Sequence, residues 1–205
     1  MRQLLLTSFA ALTLLLPVHL SQAASPAVGE PAPNFTTTDI NGEVFNLEDH
    51  KGDIVVLEWT NHQCPFVKKH YVNGDMQKTQ KETLEKGVKW VSIVSSGEGR
   101  QGHVDAAEAA KVIEEKGFSI SAKILDPSGE IGKLYDAKTT PHMFVIDAEG
   151  KLAYAGAIDS NSSPNPASIE GADNYVVAAV DNLLAGEAVA TPQTQPYGCS
   201  VKYKN

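Results

Sequence analysis

The segment that most constrains the fold is residues 54–71, "IVVLEWTNHQCPFVKKHY". Ile54-Val55-Val56-Leu57 is a short unbroken apolar run, the pattern of a strand buried on both faces within a parallel sheet. A loop then delivers Cys64 directly ahead of Pro65. Proline suits the first position of a helix, where its missing N–H has no partner to lose. The segment therefore reads as strand, loop, Cys-Pro and a helix running from about Pro65 into Lys86. A thiol is nucleophilic as its thiolate, and the unpaired N–H groups and dipole at a helix start favour that anion. Lys68, Lys69 and His70 add positive charge one or two turns on.

The flanking sequence repeats the alternation of strand and helix. Val88 to Val94 reads as a strand. Asp105 and Glu108 have capping-box spacing ahead of "AAKVIEEKG", a helix closed by Gly117. A short strand at Ala122–Leu125, a turn at Asp126-Pro127 and a small helix near Gly132–Tyr135 follow. "HMFVID" and "LAYAG" make a hairpin, and a helix runs from about Ile169 to Leu184, ended by Gly186. Upstream, "FTTTDINGEVFNL" surrounds Asn41-Gly42, the strongest short-range hairpin signal. Together these elements imply an α/β fold: a central mixed β-sheet with helices on both faces, extended by an N-terminal β-hairpin. The last stretch, "EAVATPQTQPYGCSVKYKN", is broken by prolines, lacks a helical period and reads as a C-terminal arm over residues 187–205.

Before the domain, Arg2, the apolar run Leu4 to Leu16 and the small residues Ser21 and Ala23 have the order of a secretory signal peptide, residues 1–23. The run is too short to serve as a lasting membrane anchor. Cleavage after Ala23 leaves 182 residues, enough for one domain over 24–186 with a real core, plus the arm. It also leaves 16 Lys and Arg against 25 Asp and Glu, an acidic balance that argues against nucleic acid or anionic lipid as a partner. The expected compartment is the periplasm, where two cysteines are free to form a disulfide.

Three pieces carry a family resemblance: "PAPNFTTTDINGEVFNLEDHKGDIVVLEW", the Cys64-Pro65 pair and "TTPHMFVIDAEGKLAYAG". Spanning Gly29 to Leu184, they resemble the thioredoxin-like redoxins of the alkyl hydroperoxide reductase/thiol-specific antioxidant group, and within it the exported thiol–disulfide oxidoreductases. The resemblance implies a thioredoxin-like fold with Thr140-Pro141 as a cis proline beside the reactive sulfur. The backbone before Pro141 would pair with an incoming peptide in β fashion. Glu58, six residues before Cys64, would be a buried acid that exchanges protons with the thiols.

The chain departs from the dithiol pattern at Val67, where a second cysteine would stand three residues after the first. The other cysteine is Cys199, so a resolving thiol has to come from the arm. Leu184 and Cys199 lie 15 residues apart, a span of about 50 Å when extended, against a domain roughly 30 Å across. The arm can therefore fold back, with Tyr197, Val201 and Tyr203 as docking groups. We expect a Cys64–Cys199 pair. It would serve as a catalytic couple, a permanent staple or a bond between chains, and the sequence leaves these three open.

The reading is thus an oxidoreductase with Cys64 as nucleophile, Cys199 as resolving thiol, Pro141 shaping the partner groove and Glu58 relaying protons. Its partners would be a protein thiol or disulfide and a redox donor protein, with no organic cofactor and no metal. A peroxiredoxin-like peroxidase acting on peroxide is the alternative, with Arg100 as its candidate cation. Asn61 and Leu57, however, occupy the positions where the peroxide motif has a hydroxyl residue and a proline. A third reading is a non-catalytic binding module or copper chaperone, with His62 and His142 approaching Cys64. It lacks the second, closely spaced cysteine of such carriers.

Overall fold

A computed structural model describes residues 25–204. The expected signal peptide, residues 1–23, lies outside them. The first elements are the hairpin strands β1 (Thr36–Thr38) and β2 (Val44–Asn46), antiparallel about Asn41-Gly42. Gly42 takes φ +85, and the Asp39 carboxylate accepts from the Asn41 and Glu43 amides at 2.8 and 3.0 Å. A short turn of helix at Leu47–His50 leads into β3 (Val55–Trp59), every residue of which is buried.

β3 is the centre of a five-stranded sheet. It runs parallel to β4 (Lys89–Val94), which pairs in parallel with β5 (Ala122–Leu125). On its other side β3 is antiparallel to β7 (His142–Ile146), which forms a hairpin with β8 (Leu152–Gly156). The order is β5-β4-β3-β7-β8, the mixed sheet expected from the sequence. Alternate residues of β3 face opposite ways. Val55, Leu57 and Trp59 enter one core with Phe35, Phe45, Tyr135 and Phe144. Val56 enters the other, with Val67, Met76, Trp90, Val176 and Val180. Burying each such large apolar side chain contributes about 1.5–3 kcal/mol.

The second core is covered by α1 (Pro65–Val72), α2 (Asp75–Glu85) and α5 (Tyr175–Leu184). The first is covered by the β1–β2 hairpin and the short α4 (Glu130–Leu134), with Val201 and Tyr203 of the arm packed against it. α3 (Ala106–Lys116) has the expected box: Glu108 N–H donates to Asp105 at 2.8 Å, Asp105 N–H to Glu108 at 2.9 Å, and Gly117 closes it at φ +65.

Two boundaries differ from the sequence reading. The helix from Pro65 does not run to Lys86; it breaks at Asn73-Gly74, because Gly74 adopts φ +88, a left-handed conformation no helix can contain. Gln77 Nε2 donates to the Tyr71 carbonyl at 2.9 Å and ties off the broken end. The last helix begins at Tyr175 and not near Ile169. Asn174 caps it by accepting from the Val176 and Val177 amides at 3.1 and 3.0 Å, while residues 166–169 form a separate 3-10 turn.

The arm crosses the domain in three anchored steps. Ala155 N–H donates to the Pro192 carbonyl and Thr194 N–H to the Ala155 carbonyl, each at 3.1 Å. β9 (Cys199–Ser200) then pairs antiparallel with β6 (Thr139–Thr140). Val201 N–H donates to the Lys138 carbonyl at 3.0 Å, and the Tyr203 hydroxyl donates to the Ala137 carbonyl at 2.7 Å.

Candidate active site

Cys64 is the residue before α1, with extended backbone (φ −71, ψ 127), and Pro65 opens the helix behind it. Its N–H donates to the Asn61 carbonyl at 2.9 Å, and its own carbonyl accepts from Val67 and Lys68 at 3.1 and 2.9 Å. These bonds fix the sulfur at the end of α1, where it has no exposed surface. The Thr140–Pro141 peptide bond is cis, and the Cys64 thiol donates to the Thr140 carbonyl at 3.1 Å.

The arm brings Cys199 to the same point. β9 pairs Cys199 with Thr140, and the two sulfurs, 135 residues apart in sequence, stand 2.7 Å from each other as free thiols. A contraction of about 0.7 Å brings them to the length of a covalent bond. Burial pushes the Cys64 thiol up, but hydrogen bonding with the Cys199 side chain, with Thr140 and with the Cys199 and Val67 backbone outweighs it, and the group falls below the ordinary thiol value. Cys199 moves the opposite way, to about 11, through burial, its bond to Cys64 and repulsion from a Cys64 thiolate. The two thiols are therefore unequal: Cys64 releases its proton first and Cys199 keeps its own.

Glu58 is fully buried on the Cys64 face of the sheet. Its carboxylate accepts from the Tyr71 hydroxyl at 2.9 Å, Trp90 Nε1 at 2.9 Å and Gln80 Nε2 at 3.1 Å. Burial and the Glu58 charge hold the Tyr71 phenol well above its ordinary value, so it remains a donor. Glu58, Ser92 and Lys123 share one row across β3, β4 and β5, and Lys123 Nζ donates to Ser92 at 2.9 Å. Burial lowers Lys123 to about 8, against an upward pull from Glu58.

The histidines and charges around the cysteine fall differently from the sequence reading. His142 lies on the opposite face of the sheet: it packs on Phe144 at 4.4 Å and accepts from the Lys138 amide at 3.2 Å. His62 lines a cavity of about 440 Å³ with Val67, Lys68, Tyr71 and Phe118, on the side of α1 away from the arm. Neither joins Cys64, and the described residues contain no group of three His, Cys, Asp or Glu placed to hold a metal. Arg100 is exposed in the loop after β4.

Lys69 and His70 do not serve the sulfur as distant positive charges. Both are buried, and they face Asp159. Lys69 Nζ lies 3.4 Å from the Asp159 carboxylate and donates to the Asn161 carbonyl at 2.6 Å. The hydroxyl of Tyr197, two residues before Cys199, donates to Asp159 Oδ1 and lies 3.2 Å from His70 Nε2. The Lys69 ammonium stands 4.9 Å from the centre of the Tyr197 ring. Burial above all depresses His70 to about 4, with Lys69 pushing the same way and Asp159 opposing. Sequence reasoning missed this cluster. Its available signal was Phe66, Lys69 and His70 at i, i+3 and i+4 on one stripe of α1.

Residues 27–174 match the Redoxin family. A thiol-disulfide oxidoreductase of Bacillus cereus, ResA, is 29% identical over 139 residues, covering 65% of this chain and 72% of that protein. Other Bacillus proteins of that name are matched over about two thirds of their length. An uncharacterized conserved protein of Geobacillus kaustophilus superposes at TM-score 0.71 with 32% identity, over 87% of this chain and 93% of its own. The thioredoxin domain of a thiol-disulfide oxidoreductase from Bacteroides vulgatus superposes at TM-score 0.50 with 25% identity, over 64% of this chain and 89% of its own. With this topology, the cis proline and these relatives together, the chain belongs to the Redoxin family and has a thioredoxin-like fold.

Proposed function

We propose that this protein is an exported thiol–disulfide oxidoreductase that divides its dithiol between the start of α1 and the C-terminal arm. The observation that carries this reading is the contact of two unequal thiols, Cys64 held low and Cys199 held near 11, at 2.7 Å. The Cys64 thiolate attacks one sulfur of a partner disulfide, forming a mixed disulfide and releasing the other sulfur as a thiolate. Cys199 then gives up its proton and attacks Cys64 Sγ, which frees the partner's second thiol and leaves a Cys64–Cys199 disulfide. The partner disulfide is reduced to two thiols while this dithiol is oxidised. A dithiol redox protein restores it by the reverse exchange.

Pro141 and the Thr140 carbonyl form the wall against which the sulfurs exchange. Glu58, the one carboxylate of β3 and buried on the same face, is the residue we propose as the proton relay to the thiols. Export to the periplasm rests on residues 1–23. The full-length activity and the partner proteins are part of this proposal, supported by the relatives named above.

Reduction of a protein disulfide such as insulin by the reduced, processed chain tests it. Activity should vanish in Cys64→Ser, while Cys199→Ser should make one attack and stall as a mixed disulfide. Equal activity in Cys64→Ser would overturn the reading.

A further inference from the structure

The segment that carries Cys199 does more than supply a thiol. Cys64 has no exposed surface, and the sulfur seated against it is Cys199's. A partner sulfur that is to bond with Cys64 must come to that same place. β9 also occupies the free edge of β6, and edge pairing is the general way an extended peptide docks on a sheet. The arm therefore fills both the sulfur position and the strand position that a protein substrate needs.

The residues of the arm are matched to this groove one by one. Gly198 takes φ +133, and a Cβ there would collide with the Thr140 carbonyl oxygen, so the position before the cysteine accepts glycine. Tyr197 sits in a receptor made by Phe66, Lys69, His70 and Asp159. Its ring lies 6.1 Å from that of Phe66, and its hydroxyl bonds to the buried carboxylate. Among the described residues Asp159 Oδ2 has no hydrogen-bond partner and Oδ1 otherwise accepts only from the Asn161 amide at 3.0 Å, so loss of the phenol removes the one side-chain hydrogen bond that the carboxylate accepts. On either side the arm is pinned elsewhere, at Thr194 against β8 and at Val201 against Lys138. Residues 195–200 form a bridge between these two anchors.

We propose that Tyr197-Gly198-Cys199-Ser200 is a tethered copy of the substrate strand. It covers Cys64 until the bridge lifts, and the groove it vacates recognises partner proteins that present an extended Tyr-Gly-Cys segment. This deepens the reading of Cys64 as the exchanging thiol and rests on it. The partner's tyrosine replaces Tyr197 on Asp159, and its glycine passes the Thr140 carbonyl. Cys64 attacks its disulfide, displacing the other sulfur as a thiolate. The bridge, still held at both ends, returns at high effective concentration. Cys199 then attacks Cys64 Sγ and releases the partner's cysteine as a thiol.

The test uses the full processed chain carrying Cys199→Ser and a peptide, Gln-Pro-Tyr-Gly-Cys-Ser-Val-Lys, whose cysteine is held as a mixed disulfide with thionitrobenzoate. Release of the coloured thiolate reports attack by Cys64. Peptides with Phe or Ala in place of the tyrosine, or Ala in place of the glycine, should react slower by about tenfold or more, because a site built around a hydroxyl rejects analogues that lack it. Adding Tyr197→Phe, which removes only a hydroxyl, or Tyr197→Ala to the protein should speed reaction with the Tyr-Gly-Cys peptide by loosening the bridge. Equal rates for all the peptides, or no acceleration in both arm variants, would overturn the proposal while leaving Cys64 an exchanging thiol. A Cys64 that fails to react, in any of these proteins, even with the symmetric disulfide of thionitrobenzoate, a small probe that needs no peptide groove, would overturn the proposed function itself.

Discussion

Two buried carboxylates on the Cys64 side of the molecule are built in contrasting ways. Glu58 is held by residues of the sheet and its covering helices: Tyr71, Gln80 and Trp90 all donate to it. Asp159 is closed by Lys69 and His70 from α1 and by the Asn161 amide of its own loop, but the side-chain donor that completes it is Tyr197, which belongs to the arm. The first network can be broken only by disturbing the core. The second opens when one segment of the arm moves. A buried charge can thus serve as scaffold or as latch, and what decides is whether its last hydrogen-bond donor belongs to the core.

The largest effect should come from breaking the scaffold. Glu58→Ala leaves the buried Tyr71 hydroxyl and Trp90 Nε1 without an acceptor and takes one of two from Gln80 Nε2, and should lower unfolding free energy by about 3 kcal/mol or more in urea denaturation. The latch is distinguished by its response to pH. His70 and His142 are held near 4 chiefly by burial, below the ordinary 6.5. As pH falls from 6.5 to 4 the unfolded chain takes up protons that the native chain refuses. Stability is therefore full above 6.5 and declines through that window, by up to about 1.4 kcal/mol per pH unit for each group. His70→Gln should make this decline shallower, measured by thermal melts at pH 7, 5.5 and 4.5.

Tyr197→Phe should cost only about 1 kcal/mol of global stability yet clearly accelerate alkylation of Cys64 by iodoacetamide. A loss as large as that of Glu58→Ala, with no gain in alkylation, would erase the distinction between the two networks. The mildest change is expected in Cys199→Ala. It removes the Cys199 hydrogen bond, the largest of the influences that lower Cys64, so the pH at which Cys64 alkylates should move upward.

Much of this was readable in the sequence, for identifiable reasons. Ile54 to Leu57, the Asp105–Glu108 box and Asn41-Gly42 are local patterns whose physics is complete within a few residues, and the elements formed where expected. The helix break at Asn73-Gly74 was equally local but was outweighed by the long helical pattern around it. The reach of the arm followed from chain length, and the apolar groups Tyr197, Val201 and Tyr203 marked it as a docking segment. What stayed hidden depended on distant pairing. Asp159, in a loop 90 residues from Lys69, carries no mark of the ion pair it forms. His142 stands next to Pro141 in sequence, yet the alternation along β7 points it away from Cys64.

At the centre stands the proposed redox couple of Cys64 and Cys199. Equilibrating the processed chain in dithiol/disulfide buffers of graded potential, then trapping thiols and mapping the linkage by mass spectrometry, tests it directly. The expected result is one two-electron transition in which a Cys64–Cys199 bond within a single chain appears and disappears reversibly. Thiols that titrate independently, a bond found only between chains, or a bond that no mild dithiol reduces would contradict it.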